Sequence, residues 1–166
     1  MIFSALSFCV CVVAVTATGA RVSVNDPNWY FSEYNWFQST PSSMATANPG
    51  ATFKLGWADS AAVTVVFNTS RFGGAALPTV KLAISVDDGP WAFALLSVVN
   101  NTNSTSNLAE IHINQFDTSR QQHELVLMLY ASKQQRDRWL GGGSAEGSSY
   151  LEVAGAFLQQ GGRTGL

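Results

Sequence analysis

The sequence predicts an all-β fold: a two-sheet antiparallel β-sandwich of jelly-roll type with about eight strands. Three observations carry this. Apolar side chains recur at every second position through several stretches, the period of a half-buried strand. Clusters of Gly, Pro, Asn, Asp and Ser separate those stretches at the short spacing of a sandwich. Only 12% of the 166 residues are charged against 46% hydrophobic, with 14 glycines, which suits layered sheets better than a helical bundle. A chain of this length is one domain's worth and buries a sizeable core without covalent staples.

Met1 to Ala20 reads as a secretory signal peptide and residues 21–166 as the sandwich. Ile2 to Val15 is apolar, too short to span a bilayer comfortably, and is followed by small residues that offer Ala17-Thr18-Gly19 or Thr18-Gly19-Ala20 as cleavage contexts. No basic residue precedes the run, so a retained membrane anchor is the competing reading. Both cysteines, Cys9 and Cys11, lie in this leader, and the exported chain then holds no thiol for a disulfide, a metal or a nucleophile. The expectation is a secreted glycoprotein, with acceptor sequons at Asn68, Asn100 and Asn103.

Asn28 to Phe37 packs six aromatics into ten residues. If extended, it sets Trp29, Phe31 and Phe37 on one face and Tyr30, Tyr34 and Trp36 on the other. One face is core; the second is either covered by a neighbouring loop or open as an aromatic platform. Ser39 to Pro49 reads as a polar loop with two prolines. Ala51, Phe53, Leu55 and Trp57 then alternate inwards, and after Ala58-Asp59-Ser60 so do Ala61, Val63, Val65 and Phe67, which leaves Asn68 on the outward parity. Arg71 to Pro78 and Asn100 to Asn107 are loops.

Thr79 to Val98 is the most specific stretch. Val80, Leu82, Ile84 and Val86 alternate with polar or small residues, and Asp87-Asp88-Gly89-Pro90 is a turn. Because Pro90 has no N–H, a four-residue loop is expected, with Val86 opposite Trp91, Ile84 opposite Phe93 and Leu82 opposite Leu95. That register stacks every large apolar side chain on the core face, and a slip of one residue would turn a strand's set towards water. Leu108 to Ile113 is a further strand with Ala109, Ile111 and Ile113 on one face. Leu125 to Tyr130 is apolar on both parities, which predicts a strand covered on both sides, with a helix from Ser119 as the alternative. Leu151, Val153 and Phe157 face inwards on the last strand, with Glu152 and Ala154 outwards.

The sequence offers little reactive chemistry. A net charge of −2 supplies no basic patch for nucleic acid or anionic lipid. Glu110 and His112 share one strand face but lack a third metal ligand, and they read as polar side chains on an outward, solvated strand face; His123 and Glu124 point to opposite faces and cannot act together. Gly143-Ser144-Ala145-Glu146 lacks the closing glycine of a nucleophile elbow, and no phosphate-binding loop is present. No catalytic residue, cofactor or metal site is assigned.

Taken in order, Tyr30-Phe31-Ser32-Glu33-Tyr34-Asn35-Trp36, Asn48-Pro49-Gly50-Ala51-Thr52-Phe53, Ile84 to Trp91 and Arg138-Trp139 resemble the amino-terminal jelly roll of secreted SGNH/GDSL hydrolases, as in carbohydrate esterase family 2. In that family the catalytic groups lie in the domain after the sandwich. Ala58-Asp59-Ser60 echoes the Gly-Asp-Ser block only superficially, with Ala in first place, and the later catalytic blocks have no counterpart. The resemblance therefore implies a non-catalytic accessory domain that binds glycan or positions an SGNH catalytic domain, with Tyr34, Trp36 and Trp139 as candidate sugar-stacking residues. A stand-alone carbohydrate-binding or cell-surface module, and a purely structural domain, are the alternatives. Nucleic acid is not an expected partner, nor is a membrane once the leader is cleaved.

Overall fold

The computed structural model describes residues 19–68, 80–96, 108–114, 120–131, 151–159 and 163–164. Among them are twelve strands and no helix: β1 (Gly19–Val22), β2 (Trp29–Phe31), β3 (Phe37–Thr40), β4 (Ser43–Thr46), β5 (Thr52–Ala58), β6 (Val63–Asn68), β7 (Val80–Val86), β8 (Ala92–Leu96), β9 (Leu108–Ile113), β10 (Gln122–Ala131), β11 (Leu151–Gln159) and β12 (Arg163–Thr164). They form two antiparallel sheets. The first runs β3-β4-β11-β6-β9 with β1 on β11; the second runs β12-β5-β10-β7-β8 with β2 on β5.

The pairings nest: β4 with β11, β5 with β10, β6 with β9, and β7 with β8. This is one long hairpin rolled up so that its successive pairs fall alternately in the two sheets, which is the jelly roll. Seven of these eight strands, β5 to β11, fall on predicted strands, and β4 lies in the stretch read as a loop. The other four are short edge strands.

A single core fills the space between the sheets. Val63, Val65, Phe67, Ile111, Ile113, Leu151 and Val153 of the first sheet meet Phe53, Leu55, Trp57, Leu82, Ile84, Leu125, Leu127 and Leu129 of the second. The alternation in β5, β6, β7, β9 and β10 therefore points as expected. β10 is a strand throughout, which removes the helix alternative from Ser119, but it is covered on one side only: Leu125, Leu127 and Leu129 enter the core, while Val126 and Met128 are half-buried and Tyr130 is exposed on the outer face.

Four expectations are corrected. Asn28 to Phe37 is not one strand: the chain turns over Ser32 to Asn35, with the Asn35 N–H donating to Ser32 O at 3.3 Å and Tyr34 at φ 61°. The polar stretch Ser39 to Pro49 contains all of β4 and the end of β3, a hairpin whose Ser39 and Ser43 hydroxyls donate to the buried Glu152 carboxylate at 2.9 and 2.6 Å. In β11 a bulge at Gly155, φ 129°, reverses parity, so Ala156 and Leu158 enter the core and Phe157 turns out. A Cβ at Gly155 would lie 2.7 Å from Val22 O, so this kink requires glycine twice over.

The fourth correction concerns the β7–β8 hairpin. Its ladder pairs Ile84 with Ala92, Ala83 with Phe93, Leu82 with Ala94 and Lys81 with Leu95, one residue away from the expected register. Asp87 and Asp88 both adopt positive φ, 53° and 58°, and the Gly89 N–H closes on Val86 O at 2.9 Å. That is a two-residue type I′ turn one step earlier than a Pro90-centred loop. The extra residue it leaves is absorbed as a bulge around Pro90, where no N–H is needed. Val80, Leu82 and Ile84 still face inwards, but Ala94 and Leu96 join them from β8, and Trp91, Phe93 and Leu95 face water.

Two strand details bear on other expectations. β1 begins at Gly19, so cleavage after Ala20 would remove two of its four pairs with β11. Asn68 ends β6 on the outward parity. The leader 1–18, Asn100, Asn103, Trp139 and the 141–147 loop lie outside the described residues.

Candidate functional site

The outer face of the second sheet is where the structure concentrates exposed apolar rings. β8 contributes Phe93 and, just before it, Trp91; β10 contributes Tyr130; β2 contributes Tyr30. Trp91 is 49% exposed, Phe93 65%, Tyr130 53% and Tyr30 52%, too much to be core residues left slightly open. Phe93 and Tyr130 meet edge-to-face, their centroids 5.1 Å apart at 68°. Their strands are not neighbours, since both flank β7. The rings meet across β7 because Ala83, paired with Phe93 on one side and Met128 on the other, carries only a methyl group.

Beside this ridge the floor is low and polar. Ser85 is buried and donates its hydroxyl to Gly89 O at 2.8 Å, and Val126 beside it is half-buried. Lys54 Nζ lies 2.9 Å from Glu124 Oε1, and this partner holds the lysine above its ordinary pKa by hydrogen bonding first and by charge second. The pair neutralises itself. It leaves donors and acceptors on the face.

One register row crosses this face. Tyr30 pairs with Lys54, Lys54 with Val126, and Val126 with Ser85. Trp91 continues it, because Ala92 pairs with Ile84, one residue before Ser85. An aromatic ring stands at each end, and Lys54, Val126 and Ser85 lie between.

A clamp at the start of β10 sets the hairpin that presents Trp91 and Phe93. Asp87 Oδ1 accepts the Glu124 N–H at 2.9 Å, Asp87 Oδ2 lies 2.8 Å from His123 Nδ1, and the Asp87 N–H donates to Glu124 O at 2.9 Å. His123 is buried with its ring 5.4 Å from that of Trp57. Treating His123 and Glu124 as a pair on one strand hides this arrangement, because each works with a different strand.

Of the expected sugar-stacking residues, Tyr34 and Trp36 are among the described residues. Tyr34 projects from its turn, 97% exposed. Trp36 is half-buried: its ring packs against Phe31 at 5.1 Å and Phe53 at 5.9 Å, and its Nε1–H donates to Thr52 O at 2.9 Å. With Trp29 stacked on Phe31 at 5.6 Å and 9°, these rings form one inward cluster. The signal for the outer row was present in the alternation of Trp91, Phe93 and Leu95, but the assumed register assigned it to the core.

Other polar groups have structural duties. His112 Nδ1 lies 2.8 Å from Thr64 Oγ1, and burial pushes the Glu110 carboxyl up, partly offset by the charge of His112. For Asp26, burial acts upwards, but hydrogen bonds from the Asn28 backbone and side chain and from Thr164 outweigh it and hold the carboxyl below its usual value. Asp59, at φ 56°, with Ser60 donating to Ala62 O, makes the β5–β6 turn, so Ala58 ends β5 and Asp59-Ser60 lie between strands. Among the described residues no group of three His, Cys, Asp or Glu is placed to hold a metal ion, and no helix is long and apolar enough to cross a membrane.

No family model matches the sequence, and no curated protein does. Among solved structures, a family two carbohydrate esterase from Cellvibrio japonicus superposes with a TM-score of 0.57 at 10% identity, covering 90% of this chain and 36% of the esterase. The chain has the fold of a carbohydrate-esterase-like β-sandwich domain. It spans about a third of that esterase's length. A family 35 carbohydrate-binding module from the same organism matches at a TM-score of 0.50 and 8% identity, covering 90% of this chain and 99% of the module.

Proposed function

We propose that this is a non-catalytic, glycan-binding β-sandwich, the accessory domain of an extracellular SGNH-type carbohydrate esterase, and that the outer face of the second sheet holds the sugar. The observation that carries the reading is the set of half-exposed rings, Tyr30, Trp91, Phe93 and Tyr130, around a floor of Ala83 and Ser85. A pyranose has an apolar C–H face and a rim of hydroxyls. Rings in water match the first, and the Lys54–Glu124 pair with the Ser85 hydroxyl matches the second. The fold shared with an esterase domain and with a carbohydrate-binding module supports the class.

Affinity electrophoresis of the chain through gels containing glucomannan, xylan or hydroxyethylcellulose tests this. Retardation by at least one polysaccharide, lost in Trp91→Ala, is expected; no retardation by any of them removes the reading. The isolated chain has no turnover of acetylated sugars in this reading, and measurable hydrolysis would refute the non-catalytic part. A Gly-Asp-Ser block encoded in frame after Leu166 would support the esterase host, and a stop codon there would favour a stand-alone module.

A second reading places the sugar at the turn of Tyr34, with Trp36 and Trp139, and is favoured by the full exposure of a tyrosine held at positive φ. Loss of retardation in Tyr34→Ala with retention in Trp91→Ala would select it.

A further inference from the structure

We infer that the ligand of this face is a neutral polysaccharide, unbranched on the side of Phe93 and Tyr130, bound at an internal stretch and laid across the strands, from Tyr30 on β2 to Trp91 beside β8. This rests on the glycan-binding reading and specifies the ligand's shape and charge. The row Tyr30–Lys54–Val126–Ser85–Trp91 crosses five adjacent strands. Four inter-strand spacings of about 4.8 Å separate its ends by about 19 Å. That is the length of several sugar units, far more than one terminal residue would occupy.

The chemistry along the row has a matching order. Each end presents a half-exposed ring for a sugar face, and between them the Lys54–Glu124 pair offers hydrogen-bonding groups beside a low floor of Val126 and the buried Ser85. A chain running along the strands meets a different surface. It would pass from Trp91 to Phe93 and Leu95 on one strand, three large apolar side chains in succession, with Lys81 of β7 opposite the last. Phe93 and Tyr130, joined over Ala83, stand as a wall beside the crossing row. A side branch directed towards Phe93 and Tyr130 would strike that wall, so the track favours a backbone unsubstituted on that side. Because Lys54 is already matched by Glu124, a uronate gains no free cation in the centre of the track.

Titration calorimetry with cello-, manno- and xylo-oligosaccharides of two to six units decides the matter. For the sugar type that binds, affinity should rise at least about tenfold between two and four units and then level off. Tyr30→Ala and Trp91→Ala should each weaken the long oligomer about tenfold or more while the dimer changes little. Borohydride reduction of the terminal unit should leave hexamer affinity unchanged, as internal binding requires. A dimer that binds as tightly as a hexamer, or a Tyr30→Ala variant that binds the hexamer like the parent, overturns the crossing track while leaving glycan binding intact. Absence of heat with every oligomer, together with no retardation in polysaccharide gels, removes the glycan reading and this inference with it.

Discussion

The molecule holds two aromatic groups with opposite fates. Trp29, Phe31, Trp36 and Phe53 close on one another inside, with neighbouring centroids 5.1 to 6.0 Å apart, whereas Tyr30, Trp91, Phe93 and Tyr130 stand on the outer face of the second sheet. By local pattern the fates would be partly exchanged: Trp36 shared with Tyr30 and Tyr34 a face either covered by a loop or open as a platform, and Trp91 and Phe93 belonged to the core. Two turns reverse this. The Ser32 to Asn35 turn folds Trp36 back onto Phe31, and the Asp87-Asp88 turn shifts β8 by one residue. Strand periodicity separates two faces but does not say which is inside; turns and their distant partners decide that.

The largest test of the contrast is Phe53→Ala. Phe53 is fully buried and touches three of the cluster's rings, so truncation should cost about 3–5 kcal/mol in urea unfolding. Phe93→Ala on the outer row should stay within about 0.5–1 kcal/mol despite removing the same side chain. Equal costs would place both rings in the core.

Next in size, Asp87→Ala removes the acceptor of the Glu124 N–H and the partner of buried His123, at a cost of about 2–4 kcal/mol. It also frees the hairpin to slip. Cysteine pairs read the register directly. Lys81→Cys with Leu95→Cys should cross-link in the parent, whereas Lys81→Cys with Leu96→Cys should gain in the Asp87→Ala background, and an unchanged pattern would show that the clamp does not set the register.

Trp36→Ala should cost about 1–2 kcal/mol through lost ring packing and the lost bond to Thr52 O, without altering polysaccharide retardation. Trp91→Ala should do the opposite. A Trp36→Ala variant that keeps its stability but loses retardation would return the site to the Tyr34 turn.

The smallest effect is a pH dependence. The Glu110 carboxyl lies above its ordinary value in the folded state because burial disfavours the charged form. Its contribution therefore favours folding at acid pH and is lost as pH rises through the ordinary glutamate value and then the raised one. Glu110→Gln should raise the midpoint of thermal unfolding slightly at pH 7 and not at pH 4. A gain of the same size at both values would show that the charge is not the cause.

Much of the architecture was legible locally. The inward sets of β5, β6, β7, β9 and β10 could be read by parity, because one face of each is core and apolar residues at alternate positions have nowhere else to go. Less legible were features that depend on contacts far along the chain. The β3–β4 hairpin carries Ser, Thr and Gln, which mimic a loop, and it is anchored by Glu152 more than a hundred residues later. The reversal in β11 hangs on one glycine facing Val22. The outer aromatic row was visible as residues but not as a site, since His123, 36 positions from Asp87, holds the turn that exposes it.

Alternation and turn chemistry, both properties of neighbouring residues, by themselves determined an all-β chain whose strands have one greasy face each. Only the assembled sandwich decided which rings that greasy face would hide. A one-residue change of register costs nothing in local propensity yet exchanges the two sides of a strand, so the choice passes to a buried carboxylate and an imidazole brought together from separate strands.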